Sequence, residues 1–184
     1  TFCEPEGARN WYPCWDKPGD KATFDITTKV PIEVKLGSNG RLQDSIISGD
    51  TIYYHWISRD PMATYLAVIS AKVYFNLDIV YWHKISNPLD SIPIRFYWNY
   101  GENIDSLENC KAKIIPMTTY YSQLFGEHPF EKNGFASVNG QSYFSGGMEH
   151  QTLTSSINLG EWNEGLISHE FAHQWFGDLI TCGT

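Results

Sequence analysis

The order of apolar and polar residues changes character once along the 184-residue chain, near residue 100. Before that point, apolar residues either alternate with polar ones or run in short β-branched and aromatic blocks. Ala22-Thr23-Phe24-Asp25-Ile26-Thr27 and Ile32-Glu33-Val34-Lys35-Leu36 alternate, whereas Ile52 to Ile57, Tyr65 to Ile69 and Ile79 to Trp82 are blocks. Alternation with period two places the apolar residues on one face of an extended chain, so these segments predict strands. Gly37-Ser38-Asn39-Gly40 predicts a turn, and Gly-Asp and Asp-Pro pairs separate several of the other runs. The expectation for residues 20–98 is an antiparallel β region, with a loop over 87–93 and a last strand over 94–98.

Beyond residue 100 the period becomes helical. Leu107, Cys110, Ile114, Tyr121 and Leu124 recur at helical spacing, and Asp105 with Glu108 resembles a capping box. Pro116 lies inside this pattern and predicts a kink or a break, because it lacks an amide hydrogen and its ring crowds the preceding turn. Gly126 is the expected stop. Short strands are expected over 135–138 and 153–156, and a second helix over 163–176. The fold class is therefore α+β, with β structure up to about residue 98 and mixed structure over 99–184.

Composition and charge narrow the function classes. A net charge of −8 argues against a nucleic-acid or anionic-membrane partner. An acidic cleft of this kind would attract a positively charged amine. No apolar run approaches the roughly 20 residues that span a bilayer. No signal peptide is visible, in a chain that opens at Thr1 without a Met. Aromatics make up 15% of the residues, including seven Trp and eleven Tyr, which predicts large packed surfaces or an aromatic-lined cleft. The four cysteines, Cys3, Cys14, Cys110 and Cys182, match no zinc ribbon or redox pair. A Cys3–Cys14 disulfide and isolated thiols are both open, so cysteine usage does not fix the compartment, and the localisation is unassigned.

The chemistry is concentrated near the end of the chain, in His169-Glu170-Phe171-Ala172-His173. On a helix the two histidines lie one turn apart on one face and can reach the same metal. Glu170, about 100° around the axis, can face a metal-activated water without ligating, take its proton and return it to a leaving amine. Chance produces this pattern in a chain of this length roughly once in a few hundred cases, which favours a zinc site over a surface helix with two incidental histidines. Glu164 precedes His169 by five residues, about 140° around the axis, and reads as a helix-start carboxylate that the macrodipole favours. About twenty residues upstream stands Gly146-Gly147-Met148-Glu149-His150. Glycines there allow close approach of backbone to a ligand, and the carboxylate beside them can hold a cation.

Together these pieces resemble the M1 family of zinc aminopeptidases, the gluzincin group that includes aminopeptidase N and leukotriene A4 hydrolase. Gly146-Gly147-Met148-Glu149 is similar to the family's G-x-M-E-N exopeptidase motif. The run from His169 through Gln174-Trp175-Phe176-Gly177-Asp178 to Thr181 resembles its zinc helix and the loop after that helix. Glu4 to Arg9, Pro13 to Pro18 and Lys21 to Phe24 look like the segment from which an acidic or Gln residue reaches into the active site. The resemblance implies His169 and His173 as zinc ligands and Glu170 as general base. It also implies Glu149, assisted by Glu4, as the partner of a substrate's free α-amine, with Gly146, Gly147 and Met148 alongside the peptide. It implies that residues 1–98 are part of a β-rich N-terminal domain and 99–184 the start of a thermolysin-like catalytic domain. The third zinc ligand and the oxyanion-stabilising Tyr would then lie beyond Thr184. His150 stands where Asn is commoner in the family, and it reads as a hydrogen-bonded histidine of the cleft. His55, His83 and His128 have no motif context and read as structural.

The function expected on this basis is removal of N-terminal residues from peptides with a free amine. The alternatives are a thermolysin-like zinc endopeptidase, which shares H-E-x-x-H but has no use for Glu149 and Glu4, and a non-catalytic binding module of the same family. A damaged zinc sequence would favour the module, and here the sequence is intact.

Overall fold

The computed structural model describes residues 3–138, 146–157 and 160–183. The chain first forms β1 (Ala22–Pro31), β2 (Val34–Ser38), β3 (Arg41–Ser48) and β4 (Thr51–Met62), then a 3-10 turn at Thr64–Leu66 and β5 (Ile69–Val73). Next come β6 (Asn76–His83), β7 (Ser91–Trp98), helix α1 (Ile104–Phe125), β8 (Asn133–Ser137), β9 (Gly146–Met148), β10 (Thr154–Ile157) and helix α2 (Glu164–Ala172). Three sheets result: β1-β4-β3, the pair β2-β5, and a five-stranded sheet in the order β6-β7-β8-β10-β9. The fold is α+β and β-rich.

The five-stranded sheet carries the main core. Ile92, Ile94 and Phe96 of β7 pack with Trp82 of β6 and Phe135 of β8 against Leu107, Cys110 and Ile114 of α1 and Ile167 and Phe171 of α2. Tyr97, next to Phe96 in β7, faces the other way and packs with Val68, Phe75, Ala136 and Leu153. β7, flanked by β6 and β8, thus buries side chains on both faces. Its parallel pairing with β8 means that the sheet runs across the division expected at residue 98.

The joint between the layers is polar. Lys132 is fully buried, donates to the Ser38 carbonyl at 2.7 Å and stands over the Trp56 ring at 5.1 Å. Asn39 donates to the carbonyls of Leu66 at 2.9 Å and Gln151 at 2.6 Å, and accepts from the Val68 amide at 2.7 Å. The Gly40 amide donates to Thr152 Oγ1 at 2.8 Å. Gly40 has φ +70°, and a Cβ there would meet the Ile57 carbonyl oxygen at 2.1 Å, so only glycine fits.

Several local expectations are corrected. Residues 65–68 are not a strand: Thr64–Leu66 is a 3-10 turn, held because Thr64 donates to Asp16 and its carbonyl accepts from the Tyr12 hydroxyl. Strand β2 continues through Gly37 and Ser38, which leaves Asn39-Gly40 as the turn. The last strand of the β region starts at Ser91, so Pro93 lies within β7 and residues 91–93 are not loop. Helix α1 is continuous through Pro116, and its N-cap is Asn103, whose side chain accepts from the Ser106 amide at 3.2 Å, two residues before the expected box. Helix α2 is shorter than 163–176. It starts at the Asn163 cap and ends at Ala172, because Gly177 at φ +139° turns the chain and Asp178, Leu179 and Ile180 donate five residues back to His173, Gln174 and Trp175. All four cysteines are free thiols.

His128 is buried between Phe171, stacked at 5.6 Å, and Trp175, edge-on at 5.3 Å, and burial pushes its pKa down to about 4. The folded state therefore binds this proton more weakly than the unfolded state, where the pKa is about 6.5. The stability contribution is complete above about pH 6.5 and is lost as pH falls from there through 4, by up to about 3 kcal/mol. His150, pushed to about 3 chiefly by burial, acts in the same direction. Urea unfolding from pH 8 to pH 4 should show this decline, and His128→Phe, which preserves the ring stack, should flatten it. An unchanged slope in the variant would assign the decline to other groups.

Candidate metal centre

Helix α2 places His169 and His173 one turn apart, and their Nε2 atoms converge to 3.3 Å. His173 Nδ1 lies 2.9 Å from the Phe176 carbonyl oxygen, which can only accept, so Nδ1 carries the proton and Nε2 presents its lone pair. Two nitrogens bound tetrahedrally to zinc at about 2.0–2.1 Å stand roughly 3.3–3.4 Å apart. The observed separation fits that geometry, and the neutral nitrogen donors suit zinc. Glu164 lies at the helix start, paired with Lys113, and belongs to no ligand cluster among the described residues.

Carboxylates crowd the same place. One ligand atom each of Glu149, Glu170 and His173 falls within 4.8 Å of the others. The Glu170 pKa is pushed up to about 7, first by burial and then by the negative charge of Glu149, with His173 acting against this and Glu4 adding to it. Asp178 is fully buried, and burial with the charges of Glu149 and Glu170 holds its pKa well above the usual carboxylate range. A cation placed among these groups would relieve their mutual repulsion.

Strand β9 brings Glu149 to α2. It is an outer strand of the five-stranded sheet, with Gly147 opposite Ser156 and Met148 opposite Ser155 of β10. The Gly147 backbone lies against the Glu170 carboxyl so closely that a Cβ would come within 2.6 Å of it. This explains glycine at 147. Met148 is buried against Ala63 and Leu66, with Tyr65 packed beside them. Glu4 sits on a segment pinned to the same 3-10 turn through Cys3, Tyr12 and Asp16. Its side chain is exposed, yet its charge reaches both Glu170 and Tyr65. The structure thus gathers His169, His173, Glu170, Glu149, Glu4, Gly147 and Met148, with Gly146 at the start of β9. His150 is buried and does not join them; its Nδ1 is 3.1 Å from Ser155 Oγ.

Four further residues belong to this neighbourhood: Gln174, Asp178 and Lys21 fall within the runs that resemble the family, with no site role attached to them, and Tyr65 carries no motif signal. Gln174 accepts from the Thr152 amide at 2.8 Å and donates to the Glu149 carbonyl at 3.4 Å, tying the segment after α2 to the segment after β9. Asp178 and Tyr65 lie in electrostatic reach of Glu149. Lys21 donates to the Asp178 and Leu179 carbonyls at 2.8 and 3.1 Å.

Residues 1–66 match the model of the Peptidase M1 N-terminal domain. The chain is 28% identical to Aminopeptidase M1 of Arabidopsis thaliana over 98% of its own length and 21% of the relative's. It is also 28% identical to Aminopeptidase N of Acetobacter pasteurianus over its whole length and 53% of that protein. Among solved structures, aminopeptidase A of Legionella pneumophila, in complex with aspartic acid, superposes with a TM-score of 0.84 at 22% identity, covering all of this chain and 23% of that one. An M1 zinc metallopeptidase mutant of Deinococcus radiodurans, bound to a Tyr-ser-ala substrate, gives 0.83 at 23% identity and covers 40% of that chain. At these identities the structural likeness shows the fold. The chain spans between about a fifth and about half of the length of these relatives.

Proposed function

We propose, on the premise that the chain is of the M1 zinc aminopeptidase family, that it carries the amine-binding and water-activating residues of an enzyme that removes N-terminal residues from peptides. The observation that carries this reading is the convergence of two histidine nitrogens at 3.3 Å beside a cluster of carboxylates. His169 and His173 hold the metal. Zinc, when bound, polarises the scissile carbonyl and lowers the pKa of a water to about 7. Glu170 takes the proton of the attacking water and delivers it to the departing amine. Glu149, with Glu4 at longer range, accepts the substrate's α-ammonium. The outer edge of β9 at Gly146 and Gly147 pairs with the peptide backbone, as an added strand pairs with an open sheet edge.

The amine site also explains why chain ends would be chosen. A blocked or internal peptide supplies no charge to Glu149, and leaving a desolvated carboxylate unpaired is costly. In domain terms, we place the end of the β-rich N-terminal part near Asn76, with the thermolysin-like part beginning at β6.

The test offers the natural polypeptide one peptide in two forms, with a free amine and N-acetylated. Cleavage of the free form alone is expected. Comparable cleavage of both would favour an endopeptidase and remove the roles of Glu149 and Glu4. Zinc binding without cleavage of either would favour a binding module.

A further inference from the structure

Lys21 stands immediately before β1, in the opposite layer from the zinc helix, and is half-buried where it meets the loop after that helix. Its ammonium donates to two consecutive carbonyls of that loop, Asp178 at 2.8 Å and Leu179 at 3.1 Å, across 157 and 158 residues of sequence. The loop is closed on itself by Gly177 N to Ile180 O at 2.9 Å and on the helix by Asp178 N to His173 O at 3.0 Å. Its first residue, Phe176, supplies the carbonyl that lies 2.9 Å from His173 Nδ1. Lys21 and the imidazole are therefore joined through the short backbone segment 176–179, gripped by hydrogen bonds at both ends.

We propose that Lys21 is a positioning residue for His173: from the opposite layer it anchors the 176–180 loop, whose Phe176 carbonyl fixes the tautomer and orientation of the metal-facing ring. The assignment rests on the zinc reading above. Its physical content is that a ligand's second nitrogen needs a fixed acceptor, and removal of such outer partners typically weakens metal binding by about 10- to 100-fold. Lysine suits the task because its three donors can serve two carbonyls at once. Its charge also faces the buried carboxylate of Asp178, so loop anchoring and charge compensation must be separated experimentally.

Zinc affinity of the natural polypeptide is measured by competition with a chromophoric chelator, alongside hydrogen exchange of the amides of Gly177 and Asp178 in the metal-free protein. Lys21→Met should weaken zinc by roughly tenfold or more and speed exchange at both amides. Lys21→Arg, which keeps the donors, should recover most of the affinity. Lys21→Met combined with Asp178→Asn should remain weak, since the anchor is still missing. Recovery of wild-type affinity in that double variant would overturn the proposal, because charge compensation would then be the whole effect. So would affinity within about twofold of wild type in Lys21→Met while His173→Ala loses zinc. If His169→Ala and His173→Ala both leave zinc binding unchanged, the metal reading itself fails and the role of Lys21 falls with it.

Discussion

Glu170→Gln in the natural polypeptide is expected to lower kcat on a free-amine peptide by about a hundred- to ten-thousandfold, the range that a positioned proton acceptor contributes, while zinc content stays at the wild-type level. The substitution is close to isosteric, which matters because the Gly147 backbone lies tightly against this side chain. The amide occupies the same space and keeps hydrogen-bonding capacity, but it cannot accept and return a proton. His169 and His173 are untouched, so metal analysis and turnover should separate cleanly. Activity within tenfold of wild type would mean that another group takes the proton. Loss of zinc together with activity would make Glu170 a ligand, and the three-way cluster with Glu149 and His173 would need a different reading.

Glu149→Ala should have the next largest effect, and a different signature. Removing one partner of a close charge pair costs about 2–5 kcal/mol, or roughly 30- to several-thousandfold, and the loss should appear in kcat/KM for free-amine peptides. Residual activity on the N-acetylated peptide, if measurable, should not change, because that substrate has no ammonium to lose. Glu4→Ala should cost less, since Glu4 is exposed and its charge is screened by solvent. An equal loss on free and acetylated substrates would show that Glu149 acts on the zinc helix and not on the amine.

Much of this site is legible in the residues themselves, and for a definite reason. His169, Glu170 and His173 lie within one helical turn, so spacing alone brings the two nitrogens together. Gly147 and Glu149 lie in one short segment, so their relation to each other is also local. What spacing cannot give is the partner supplied by another layer. Gln174 falls in the run that resembles the family, but nothing in its spacing shows its two contacts, to the Thr152 amide and the Glu149 carbonyl. Tyr65 and Lys21 join the site only because distant parts of the chain meet there, as Lys21 meets the loop after α2.

The fold shows the same division. Strands β1, β4, β6 and β7 are readable from alternation or from β-branched blocks. Strand β3 is not, because Arg41-Leu42-Gln43-Asp44-Ser45-Ile46-Ile47-Ser48 is largely exposed and is extended chiefly by pairing with β4. The 3-10 turn at residues 64–66 defeats the β propensity of its neighbours because Tyr12 and Asp16 hold Thr64 from a distance. Helix α2 stops early because Gly177 turns the chain, although the apolar pattern continues through Trp175 and Phe176.

The Asn39-Gly40 turn has a kinetic consequence. It contacts Gln151 and Thr152 across 112 residues, and Gln174 joins Thr152 to the Glu149 backbone. Closing so long an intervening segment costs chain entropy before any contact repays it. The contacts of this turn are therefore expected to form late in folding, after local pairings such as β9 with β10. Refolding followed by hydrogen exchange should then show the amides of Gly40 and Val68, which donate to Thr152 and Asn39, gaining protection after those of the β9–β10 pair.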